Sequence, residues 1–428
     1  MINKVKKKFQ TKKEEKTMKD KVVRLIGSSV LAAVTVAGCG WSNSMHSMPG
    51  DSMHDSMTSM KDAKWSAADL RSNLNALLGE HVLIAAIATS HALGGREAAF
   101  NGAVGGLDAN SVDISKTIGA VYGADAEKAF LSLWRKHIGF FVGYTNGVAT
   151  KDKAKQDRAV GDLVNYAGDF GAFLSSANPN LSKNVVADLV KGHILTLKEV
   201  VDAQAQSDWP KAYAAIRSAY HHMQMVADPL AATVAKQFPN RYAGTSDAPV
   251  ATLRTTLNVA LREHAIIAAM ATGSALGGRE AEFKAAASAL DGNSVDIAKA
   301  IGSVYGADAE KAFLPLWRKH IGFVVDYTTG LATKDKAKQD KAVNDLINYS
   351  EDFGAFLSSA NPNLPKGAVA ELVKGHIITL KDVVDAQAAR EWPKVYANLR
   401  TAASHMAMIA DPLGMAIAKQ FPDRYAQR

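Results

Sequence analysis

Residues 121–144 read VYGADAEKAFLSLWRKHIGFFVGY, and residues 304–327 read VYGADAEKAFLPLWRKHIGFVVDY. His137 of the first stretch becomes His320 of the second, a shift of 320 − 137 = 183 residues. The same shift takes His81 to His264, His193 to His376 and His222 to His405, whereas His91 and His221 fall on Ser274 and Ser404. An internal repeat of this length means two copies of one structural unit. Around His137, apolar residues stand at offsets −7, −4, −3, +4 and +7 (Phe130, Leu133, Trp134, Phe141, Tyr144), which is one side of a helix.

From Ser66 onward, apolar residues recur at spacings of three and four, and strand-like alternation is absent. Helices are expected near 67–92, 96–121 with a break at Gly105-Gly106, 125–149, 152–177, 183–206 and 209–237, and again one repeat later. Gly94-Gly95 and Gly123 act as stops, Asp125 and Asp208 as caps, and Asn178-Pro179-Asn180 as a turn. The expected architecture is all-α: two tandem six-helix domains of ferritin-like or four-helix-bundle type. Residues 66–242 form the first, 243–250 a linker and 251–428 the second, each able to bury its own core.

Upstream, residues 1–38 combine a lysine-rich start with an apolar run from Leu25 to Ala37, the pattern of a secretory signal. Met18–Gly38 alone makes a complete signal, so translation can start at Met1 or Met18. Val36-Ala37-Gly38-Cys39 resembles the lipobox of bacterial lipoproteins. That resemblance implies lipid on Cys39, the sole cysteine, and a membrane-anchored, extracytoplasmic protein. Ten Lys/Arg against three Asp/Glu give this segment +7 of the chain's +8. The remainder is nearly neutral, which removes any case for nucleic-acid binding. Residues 39–65 read as a disordered tether. Its Met45, His46, Met48, Met53, His54, Met57 and Met60 form a soft donor set suited to copper.

The four histidines that recur in both copies lie on apolar helix faces at similar depth, so they are expected to meet in one layer of each bundle. The expected ligand sets are His81, His137, His193, His222 and Met225 in the first copy, with His264, His320, His376, His405 and Met408 in the second. Glu80, Asp228, Glu263 and Asp411 are candidates to orient imidazoles from outside the site. Imidazole suits copper, zinc, iron and nickel, and paired histidines also suit haem. The thioethers favour copper. No Glu-x-x-His at these sites supports di-iron chemistry, and no catalytic residues are assigned. The leading expectation is a lipid-anchored metal-binding protein for copper sequestration or delivery. The alternatives are a haem-binding or redox bundle, and a helical interaction module with structural histidines. Protein partners are not indicated.

Overall fold

The computed structural model describes residues 66–425. Cys39, the lipobox and the seven tether residues lie outside them. Within the described residues the fold is all-α, with twelve helices in two tandem sets of six. The first set is α1 (Ala67–Leu93), α2 (Glu97–Tyr122), α3 (Ala124–Thr150), α4 (Lys153–Ala177), α5 (Lys183–Ala205) and α6 (Trp209–Gln237). The second is α7 (Pro249–Leu276), α8 (Glu280–Tyr305), α9 (Ala307–Thr333), α10 (Lys336–Ala360), α11 (Lys366–Ala389) and α12 (Trp392–Gln420).

Local chemistry accounts for most boundaries. Ser66 and Asp69 form a reciprocal capping box at the start of α1. Gly123, at φ 93°, separates α2 from α3 in a conformation that side-chain-bearing residues rarely adopt. Asp208 accepts a hydrogen bond from the Lys211 backbone N–H at the start of α6. Asp125 does not cap α3; it lies in that helix's first turn, where its charge favours the positive end of the dipole.

The expected break at Gly105-Gly106 does not occur, and α2 runs through it. These glycines serve close approach instead. A Cβ on Gly106 would stand 2.9 Å from the Cβ of Tyr396, and one on Gly102 would stand 2.8 Å from that of Trp392, both on α12. Small residues on α2 let the second repeat press against the first.

Helix α1 is apolar nearly all round, as a central helix must be. It packs against α2, α5 and α6 of its own repeat and against α7 of the other. It is long and apolar enough to cross a membrane, but 89% of its apolar window is buried within the fold. Helix α7 is its counterpart, so two core helices lie side by side and each repeat wraps its own. The larger hydrophobic cluster spans this seam, joining Leu83 and Ile84 to Ile266, Ile267 and Leu399.

Reciprocal ion pairs complete the seam. Arg217 of α6 donates to Glu263 (2.9 and 3.2 Å) and Asp296 (2.7 Å). One repeat away, Arg400 of α12 donates to Glu80 (2.9 Å) and Asp113 (2.6 Å). This exchange of equivalent contacts is the form of an isologous two-fold interface. The connecting segment is pinned down: Ala67 N–H donates to Ala243 O (2.9 Å) and Arg71 to Ser246 O (2.9 Å).

Candidate metal centre

Helices α1, α3 and α5 each send one imidazole to a common point. His81, His137 and His193 are all buried, and each offers a ring nitrogen within 4.8 Å of the other two. The ring centroids are 5.3 Å apart for His81–His137, 6.0 Å for His81–His193 and 6.3 Å for His137–His193. His264, His320 and His376 on α7, α9 and α11 repeat the arrangement at 5.2, 5.9 and 6.4 Å.

The closest nitrogens are Nε2 of His81 and His137, at 3.3 Å, and the second repeat has 3.2 Å. Two nitrogens bonded to one tetrahedral ion at about 2.0–2.1 Å stand roughly 3.3–3.4 Å apart. One edge of a coordination tetrahedron is therefore already in place. His193 is farther out, its nitrogen within 4.8 Å of the other two.

Hydrogen bonding within the protein does not satisfy this cluster. Nδ1 of His81, Nδ1 of His137 and both ring nitrogens of His193 have no partner; in the second repeat the same holds for His264, His320 and His376. A neutral imidazole carries one N–H and one lone pair. The single His81–His137 bond thus leaves the other buried ring nitrogens of the triad unpaired. Each unsatisfied buried group costs about 1–3 kcal/mol. A cation accepting one lone pair from each ring would relieve part of that cost and leave each ring's other nitrogen as an N–H.

Electrostatics keep the rings neutral. Burial, reinforced by His193, lowers the His137 pKa to about 3, opposed by the nearby Trp134 carbonyl, which lacks the geometry of a full hydrogen bond to the ring. Burial and then His222 lower His193 to about 4. Burial and the two neighbouring imidazoles hold His81 well below the ordinary value. His320 and His376 follow, at about 3 and about 4. Neutral imidazole is the ligating form.

Aromatic rings enclose each triad. Trp134 lies 4.9 Å from His81 and 4.6 Å from His137, and Tyr166 lies 5.2 Å from His137. Trp134 Nε1 and Tyr166 OH are buried without hydrogen-bond partners. Trp134 is detectable in sequence as a face-mate of His137. Tyr166 arrives from α4, and only the folded bundle brings it to the site.

The expected fourth histidine and the methionines do not join. His222 Nε2 bonds Leu189 O at 3.0 Å, and the ring rests over Gly192, where a Cβ would stand 2.6 Å from Cε1. His405 does the same with Leu372 O (2.9 Å) over Gly375. Helix α6 buries the neighbouring Met223 instead, which turns His222 to the α5–α6 seam. Met225 and Met408 are exposed at 58% and 52%, because they fall outside the buried arc of their helices.

The carboxylates expected to orient imidazoles have other duties. Glu80 accepts from Arg400 and Asn110, and Glu263 from Arg217 and Asn293, so both serve the seam. Asp228 is held by Arg71 and Asn75, and Asp411 by Arg254 and Asn258. The group that can hold a metal ion is thus three histidines per repeat.

No family model, curated protein or solved structure matches the chain. The two triads can each hold a metal ion on the strength of their geometry alone.

Proposed function

We propose that the protein binds two metal ions, one in each triad, as an extracytoplasmic protein tethered by lipid on Cys39, and that its role is copper sequestration or delivery. The observation that carries this reading is the convergence, twice, of three buried imidazoles whose nitrogens have almost no protein partners. Copper is favoured over zinc, iron and nickel because it stands highest in affinity for nitrogen donors among divalent first-row ions. The Met/His composition of residues 45–60 adds a soft donor set on the same chain. Haem finds less support. Axial nitrogens on opposite faces of one iron stand roughly 4 Å apart with a porphyrin between them. Here the closest pair is 3.3 Å apart, with Trp134 and Tyr166 packed around it.

Metal analysis of the purified protein after exposure to Cu(I), Cu(II) and Zn(II) tests the reading. Two tightly held copper ions per chain are expected. Failure to hold any ion, with the fold intact, would reduce the triads to packing elements of a helical interaction module.

A further inference from the structure

Beside each triad the fold leaves an apolar cleft among the first three helices of the repeat, with volumes of about 180 Å³ in the first and 220 Å³ in the second. His81 and His137 form its inner wall in one repeat, His264 and His320 in the other. The space exists because the central helix presents alanine toward it: Ala85, Ala88 and Ala92 on α1, and Ala268, Ala271 and Ala275 on α7. Larger side chains at these positions would fill it.

The remaining polar atoms of the wall are engaged. Thr89 Oγ1 donates to Ala86 O and also lies 2.8 Å from Gln204 Oε1, and Thr145 Oγ1 donates to Phe141 O. Thr272 and Thr328 repeat these bonds in the second repeat. At the rim of the first cleft, Asp108 and Arg135 close on each other in a two-pronged pair at 2.8 and 2.9 Å. Among the polar side chains that line the first cleft, only His81 and His137 therefore carry a ring nitrogen without a protein partner. A charged ligand would find no free counter-charge.

Resting on the metal reading above, we infer that each cleft binds a one-ring, mostly apolar molecule with a single neutral nitrogen donor, whose ring fills the cleft while its nitrogen takes the open position on the ion. Size supports this: a dry apolar cavity of about 150 Å³ accepts benzene. Coordination supports it as well. An ion held by three protein nitrogens keeps a fourth position available, and His81 and His137 line the cleft whereas His193 does not.

The test uses three probes on the purified protein: toluene (ring without donor), pyridine (ring with donor) and acetate (donor without ring). Calorimetry on the metal-free protein should show two toluene molecules per chain. On protein loaded with Co(II), whose visible spectrum reports coordination, pyridine should bind at least tenfold more tightly than toluene and shift the spectrum. Acetate should do neither. Ala88→Leu should lower toluene stoichiometry from two to one, and Ala88→Leu with Ala271→Leu should abolish it while metal stoichiometry stays at two. Should the leucine variants misfold, Ala88→Val with Ala271→Val narrows the cleft less and should still weaken binding. Toluene binding that ignores these substitutions, or no toluene binding at all, overturns the cleft. Pyridine binding without a spectral shift overturns coordination by the ligand. Loss of metal binding with toluene binding intact overturns the metal reading and the donor requirement but leaves the apolar site standing.

Discussion

At the triads, the two repeats are nearly superposable: the three centroid separations differ by about 0.1 Å from one copy to the other. At the seam between them, equivalent positions carry different side chains. His91 on α1 meets Tyr396 OH at 2.9 Å and accepts from Arg96 Nε at 2.8 Å. The equivalent of His91 is Ser274, and Arg279, the equivalent of Arg96, turns to Glu282 at 2.6 Å, where the first repeat has Ala99. Gly102 and Gly106 have Ala285 and Ala289 as counterparts. His221, the other histidine without a counterpart, approaches Glu263 at 3.4 Å, also at the seam. The two unshared histidines thus belong to the contact between repeats, and the site-forming ones do not. A three-helix convergence needs the same residue at each vertex. A contact between two surfaces needs only that they complement each other.

Four measurements probe this contrast, ordered by the size of the response. His137→Ala should eliminate the ion of the first repeat and His320→Ala that of the second, each lowering stoichiometry from two to one. The double variant should bind none at the triads. Unequal losses would show that the repeats have diverged at the site as well.

Lowering pH should destabilise the metal-free protein over a defined window. The folded values of about 3 for His137 and His320 and about 4 for His193 and His376 lie below the unfolded value near 6.5. Between those limits the unfolded chain binds more protons, so stability present above pH 6.5 falls as pH drops toward 3–4. Urea unfolding at successive pH values should show this slope, and His137→Ala should flatten it. An unchanged slope in that variant would mean the imidazole is not held neutral by its surroundings.

Removing either seam arginine comes next. Arg217→Ala and Arg400→Ala strip the buried Glu263 and Glu80 of their guanidinium partners. Because both arginines are partly solvated, each should lower unfolding free energy by about 2 kcal/mol rather than the roughly 3–5 kcal/mol of a fully buried pair. Similar losses from the two variants would confirm that this part of the seam is symmetric despite the differences around it.

Glycine substitutions on α2 give the smallest effects. Gly105 has open space where a Cβ would go, so Gly105→Ala should stabilise by about 0.5–1 kcal/mol through reduced freedom of the unfolded chain. Gly106→Ala must instead push Tyr396 aside, which should cancel that gain or reverse it. Equal thermal shifts for the two would argue that α2 does not press on α12.

The all-α class, the six-helix repeat and the inward face of His81, His137 and His193 were all legible in the chain. Each follows from local periodicity: a helix face is determined by residues three and four apart, and a repeat by identity at a fixed shift. Depth along each helix is legible too, and it places four imidazoles per repeat in one layer, of which three converge. Which inward residues reach the centre was decided only by tertiary packing. His222 lies within about 100° of the buried Met223 on the same helix, and the choice between them depends on how α6 is rolled against α1 and α5. The same applies to Glu80, whose role depends on Arg400, a residue 320 positions away that only the folding together of the repeats brings within 2.9 Å. Periodicity states which side of a helix is apolar, but the rotation of one helix about its axis relative to its neighbours is a property of the packed core, and it separated three ligands from a fourth histidine.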